Sequence, residues 1–179
     1  MDTLQSYKNI IEKCKDTFIK KTADYGTSWR VYRTISVADQ IYIKARRIRN
    51  IQEGIIQKIE DGIPSEFSGI INYCIIGLIQ LEINNEEPED LSMTAVLAHY
   101  EKIAQQAFEL MLAKNNDYGE AWRDMSQEGK TDLILAKILR IKQILKNEGK
   151  TSVSEGIDAN FYDILNYAVF ALILDEEKT

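Results

Sequence analysis

Residues 23–30 read ADYGTSWR and residues 116–123 read NDYGEAWR, and together they hold both tryptophans of the 179-residue chain. Asp24, Tyr25, Gly26, Trp29 and Arg30 recur as Asp117, Tyr118, Gly119, Trp122 and Arg123, each displaced by 93 residues. The correspondence runs on in both directions: Tyr7, Ile10 and Lys21 match Tyr100, Ile103 and Lys114, and Asp39, Lys44 and Arg47 match Asp132, Lys137 and Arg140. One extra residue then enters, and Asn72-Tyr73 matches Asn166-Tyr167 at a displacement of 94. Two long copies are too few for a solenoid, which stacks three or more short units. The chain therefore reads as a pseudo-symmetric pair.

Only two prolines occur, and β-branched alternation is scarce, so each copy reads as three helices. The spacing predicts helices at about 3–23, 37–60 and 66–83 in the first copy and 93–115, 131–147 and 154–174 in the second, with Ser65 and Ser154 as starts of the third helices. The expected fold is all-α: six main helices, as two three-helix repeats packed into one bundle. Residues 1–83 form the first repeat, 84–92 an acidic linker containing Pro88, and 93–179 the second. The DYG segments fall between first and second helices, where glycine permits a turn and the tryptophan anchors it.

A 45% hydrophobic content supplies a core, and no uninterrupted apolar run approaches the ~18 residues of a membrane span, so no membrane association is expected. Cys14 and Cys74, far apart, read as small core side chains, His99 as structural or solvent-facing, and the setting as cytoplasmic. A net charge of −6 argues against a protein whose main task is gripping a nucleic-acid backbone, and a nucleic-acid-binding module built on residues 44–50 fits that acidic balance poorly. The basic stretch 44–50, KARRIRN, reads as a solvated helix face for Arg46 and Arg49, while Lys44 and Arg47 stand out because their types recur in the second copy.

The copies differ most in the third helix. In EGIDANFYDILNY, residues 155–167, Glu155, Asp158, Tyr162 and Asn166 share one stripe with Asp163 at its edge; the first copy has Asp61, Pro64 and Gly69 opposite Glu155, Asp158 and Asp163. Clustered carboxylates call for a cation, and Glu155, Asp158 and Asp163 are the candidate magnesium ligands and catalytic residues. Lys137 and Arg140 are the candidate phosphate holders, Asn166, Tyr118 and Trp122 the candidate base or sugar contacts, and Asp117 a further residue that could face the ligand. The same charges also suit an internal ion-pair network in a non-catalytic binding or assembly protein.

The combination of DYG with a following aromatic (117–119, 122), K-x-x-R (137, 140) and E-x-x-D-x-x-x-x-D-x-x-N-Y (155, 158, 163, 166, 167) resembles the nucleotide-modification-associated domain 1 family. That resemblance implies action on or near modified nucleotides. More distantly the chain is similar to MazG-like all-α NTP pyrophosphohydrolases, which implies a magnesium-dependent nucleotide hydrolase acting on a nucleoside triphosphate. Glu155-x-x-Asp158 fits one of that family's carboxylate pairs; the other is missing, since the fourth helix has only Glu101 and Glu109. Self-association into a homodimer is the expectation of packing an apolar final helix.

Overall fold

A computed structural model of the chain describes residues 2–59, 61–83 and 88–178. The helices are α1 (Thr3–Tyr25), α2 (Thr34–Gln52), α3 (Ile63–Ile83), α4 (Met93–Tyr118), α5 (Gln127–Lys146) and α6 (Ile157–Glu176). Short 3-10 turns at Ser28–Val31 and Ala121–Arg123 carry the tryptophans, and no strand occurs among the described residues. Residues 84–87 of the expected linker lie outside the described residues, as do Met1, Glu60 and Thr179.

Local chemistry sets the helix ends. The side chains of Asp2, Ser92 and Ser126 accept backbone N–H bonds at the starts of α1, α4 and α5, satisfying donors that would otherwise be orphaned. α1 and α4 stop at Gly26 and Gly119, with φ of 65° and 61° and ψ near −150°, a region open in practice to glycine alone. This is why the DYG motif is written twice.

Three expected ends are corrected. α2 closes at Gln52 instead of running to 60, because Gly54 (φ 80°) turns the chain and the N–H groups of Gly54 and Ile55 cap the Ile51 and Asn50 carbonyls, the pairing of a Schellman motif. α6 begins at Ile157, not 154: Ser154 accepts a bond from Thr151 on its own carbonyl, and Gly156 is the residue before the helix. Nor does Ser65 start α3, which begins two residues earlier with Pro64 in its first turn, where a missing N–H costs nothing.

α3 and α6 cross at the centre; α2 covers α3, α5 covers α6, and α2 packs on α5. The first helices are exchanged: α1 lies more extensively against α6 than against its own α3, and α4 more against α3 than against α6. Both central helices contain an 18-residue window of mean hydropathy 1.3 and are long enough to cross a membrane, so the expectation of no such segment is corrected. It counted uninterrupted apolar runs, whereas isolated polar residues barely lower a window average. The share of those windows buried inside the protein is 61% for α3 and 67% for α6, which accounts for their composition as core helices.

The exchange is held by two symmetric pairs of hydrogen bonds, one buried and one part-buried. Tyr7 donates to Asn166 Oδ1 (2.7 Å) while Asn166 Nδ2 donates to the Ala107 carbonyl (3.2 Å). Tyr100 donates to Asn72 Oδ1 (2.9 Å) while Asn72 Nδ2 donates to the Cys14 carbonyl (3.0 Å). Each tyrosine reaches the asparagine of the other repeat, so the asparagines matched at a displacement of 94 and the tyrosines matched at 93 together form an inter-repeat tether.

Candidate functional site

The tryptophan turns serve the fold. Trp29 and Trp122 are each 6% exposed. Gln80 fastens the first turn by donating to the carbonyls of Trp29, Arg30 and Tyr32. Arg30 donates to the Pro88 carbonyl and Thr27 to the Glu89 carbonyl, which pins the chain leading into α4. Arg123 matches this by donating to Thr3 Oγ1 at the first residue of α1 and pairing with Glu177. Each repeat's arginine thus holds the start of the other repeat's first helix.

The acidic residues expected to share a site face three different surroundings. Asp163, 7% exposed, is clamped between Lys114 and Lys137, the latter at 2.7 Å. Asp158 borders a depression with Leu78, Glu82 and Gln106, and Glu155 another with Arg140 and Asn160. Their separation follows from the late start of α6: Glu155 precedes the helix, so the stripe loses its first member. No group of three or more His, Cys, Asp or Glu side chains converges to hold a metal among the described residues.

The other residues singled out in the second repeat divide similarly. Asn166 is buried and committed to the tether. Trp122 stacks face to face on Phe170, with ring centroids 4.3 Å apart. Tyr118 is 75% exposed, Asp117 and Arg140 are exposed, and Lys137 is held by Asp163. His99 lies half-buried beside Glu82 and the two cysteines are buried thiols.

A ligand-sized cavity lies instead in the first repeat. Its volume is about 650 Å³, and it opens between the C-terminal half of α1, Lys44 of α2 and the N-terminal half of α3. Lys21 and Lys44 supply cations to it, Tyr25, Tyr32 and Tyr73 aromatic walls, and Glu66 a carboxylate. Position 76 is Ile where the second repeat has Phe170, so no ring of α3 stacks on Trp29 as Phe170 stacks on Trp122; Phe18 of α1 lies tilted beside Trp29 instead, with ring centroids 6.4 Å apart. Burial and the hydroxyl of Tyr32 raise the Tyr73 phenol, which is therefore neutral at pH 7.

Glu66 is the partner of α2. It accepts from Lys44 Nζ at 3.0 Å and pairs closely with Arg47, which also donates to the Asp61 carbonyl. Burial by itself would raise the Glu66 carboxyl, but the hydrogen bonds from Arg47 and Lys44 outweigh it and leave it below its usual value of 4.5. A depressed folded value means that the group stabilises the protein above the unfolded value and that this contribution is lost as pH falls through the lower folded value. Urea unfolding from pH 7 to pH 3 is therefore expected to show a fall below about 4.5 that Glu66→Gln makes shallower; an unchanged slope would remove Glu66 from the pH dependence.

The sequence carries the signals for this cavity, but their meaning is spatial. Lys21/Lys114 and Lys44/Lys137 were matched pairs, and Gly69 was noted opposite Asp163. The glycine read as a lost ligand; in space it is a lost obstruction. Glu66, aligned with Asn160, was missed because the first repeat's carboxylate sits one helical turn earlier.

Fold and cavity define the class: an all-α tandem-repeat protein with a cationic, aromatic-walled cavity in one repeat. Residues 21–81 and 114–174, more than half of the chain, match the family described as nucleotide modification associated domain 1, and the chain belongs to that family. No curated protein and no solved structure matches the chain.

Proposed function

We propose that the protein binds a nucleotide in the first-repeat cavity. The observation that carries this reading is the composition of one cavity of about 650 Å³, within the usual range for small-molecule sites: aromatic side chains that can face a base share its lining with two lysines that can meet phosphate. The words nucleotide modification in the family's description agree with that chemistry. Glu155, Asp158 and Asp163 do not fit a magnesium seat, because their side chains do not converge, and no step is assigned to the metal. A MazG-like reaction would add pyrophosphohydrolysis; binding is what the cavity supports, and we read the second repeat's charges, with Asp163 between Lys114 and Lys137, as the structural network of the rival reading.

The test is thermal melting against canonical and modified nucleoside mono-, di- and triphosphates, with magnesium and with chelator. A ligand at about 100 times its Kd adds ~2.7 kcal/mol to the folded state, or roughly 5–11 °C for a chain of this size. The shift is expected to fall to about half or less in Lys21→Ala, as a tenfold weaker Kd requires, and to persist in Asp158→Ala and Arg140→Ala. A flat panel, or a shift lost with Arg140 and kept without Lys21, would overturn the assignment.

A further inference from the structure

We infer that Lys21 and Lys44 form an oxyanion subsite that the second repeat fills permanently with its own Asp163. The inference deepens the nucleotide reading and rests on it for the ligand's larger part, but the subsite itself follows from comparing the repeats. Lys114 and Lys137, the counterparts of Lys21 and Lys44, both meet the Asp163 carboxylate. In the first repeat the matching position is Gly69, which has no side chain to offer. Lys21 has no partner among the described residues, and Lys44 shares Glu66 with Arg47. A single carboxylate facing two cations, beside a third cation with none, leaves this end of the cavity with surplus positive charge; the exposed Asp61 at its edge offsets part of it.

Space agrees with charge. A Cβ built on Gly69 would stand 2.8–3.0 Å from the Cε, Cδ and Nζ atoms of Lys44. Lys44 therefore runs beside position 69 as Lys137 runs beside Asp163, and its ammonium lines the open cavity with Lys21. Ser65 adds a hydroxyl where the second repeat has Ala159. Two ammonium groups and a hydroxyl around a void suit a tetrahedral oxyanion that accepts from several directions at once, the chemistry of a phosphate group. The source is either a nucleotide or free phosphate.

The experiment is calorimetric titration of the full chain with inorganic phosphate and, in parallel, with nucleoside monophosphates. Wild type is expected to show one phosphate site. Gly69→Asp supplies the carboxylate of the second repeat and is expected to weaken phosphate binding by about tenfold or more, as is Lys21→Ala, each removing a charge-assisted contact. Only the flexible end of Lys44 must move to admit the new side chain, so Gly69→Asp should fold. Asp163→Gly releases Lys114 and Lys137 and is expected to raise the stoichiometry to two; if it does not fold, the other two variants still decide. No phosphate binding to wild type, or wild-type phosphate affinity in folded Gly69→Asp or Lys21→Ala, would overturn the subsite. Phosphate binding that obeys these variants, with monophosphates no tighter than phosphate, would keep the subsite and sink the nucleotide reading.

Discussion

Asn166→Ala will destabilise the protein by about 2–5 kcal/mol, the sum expected when two buried hydrogen-bonding groups are stranded. The groups are the Tyr7 hydroxyl, on a residue 1% exposed, and the Ala107 carbonyl. Because Tyr7 comes from the first repeat and Ala107 from the second, the loss falls on the exchange of first helices and will appear as reduced global stability. For a chain of this size the melting temperature should drop by roughly 5–15 °C. Tyr7→Phe alone should cost less, since it strands only Asn166 Oδ1, and Tyr7→Phe with Asn166→Leu should cost less than the two separately. Asn72→Ala tests the partner tether; Asn72 is less buried than Asn166, so its loss should be the smaller. Denaturant unfolding within about 0.5 kcal/mol of wild type for Asn166→Ala would show that the tether contributes no more than an ordinary surface contact.

The tether explains why so much of the fold could be read beforehand. Tyr7/Tyr100 and Asn72/Asn166 recur in the sequence because the same contact is made twice, so repeat detection found residues whose job is structural. Helix number and order followed from apolar spacing, which is strong over the long helices α1 and α4. The ends failed where one residue decides: Gly54 closes α2, and Gly156 with the Thr151–Ser154 turn delays α6. Glycines at those positions were visible, but their left-handed or extended backbone is a property of the folded chain.

The site was less legible, for a physical reason. Counting carboxylates along a helix measures what a repeat contains and says nothing of what already satisfies it. Asp163 scored as a ligand because it was present; its two lysine partners come from α4 and α5, distant in sequence. Gly69 scored as a deficit, although the absence of a side chain is what lets Lys44 and the cavity exist. The lysines of the candidate site recur in the sequence as matched pairs, and only the three-dimensional surroundings distinguish a lysine that is clamped, as Lys137 is by Asp163, from one that is open, as Lys21 is.

The second large effect is expected where no sequence pattern pointed. Gly77 lies on α3 at its crossing with α6, and a Cβ there would meet the Phe161 ring at 3.0–3.1 Å and Val37 Cγ1 at 3.2 Å. Neither neighbour can withdraw, since Phe161 and Val37 are fully buried and close-packed interiors leave no room for a shifted ring. Gly77→Leu should therefore destabilise by roughly 1–3 kcal/mol or more through overpacking, and Phe161→Ala by ~3–5 kcal/mol through the cavity it leaves. The double variant is the informative one: the leucine enters the volume vacated by the ring, so its loss should fall short of the sum of the single losses by at least ~1 kcal/mol. Additive losses in urea unfolding would mean that α3 and α6 are spaced by other contacts. Compensation would identify the glycine as what sets their approach, and with it the position of α3, whose N-terminal half forms one wall of the cavity in the first repeat.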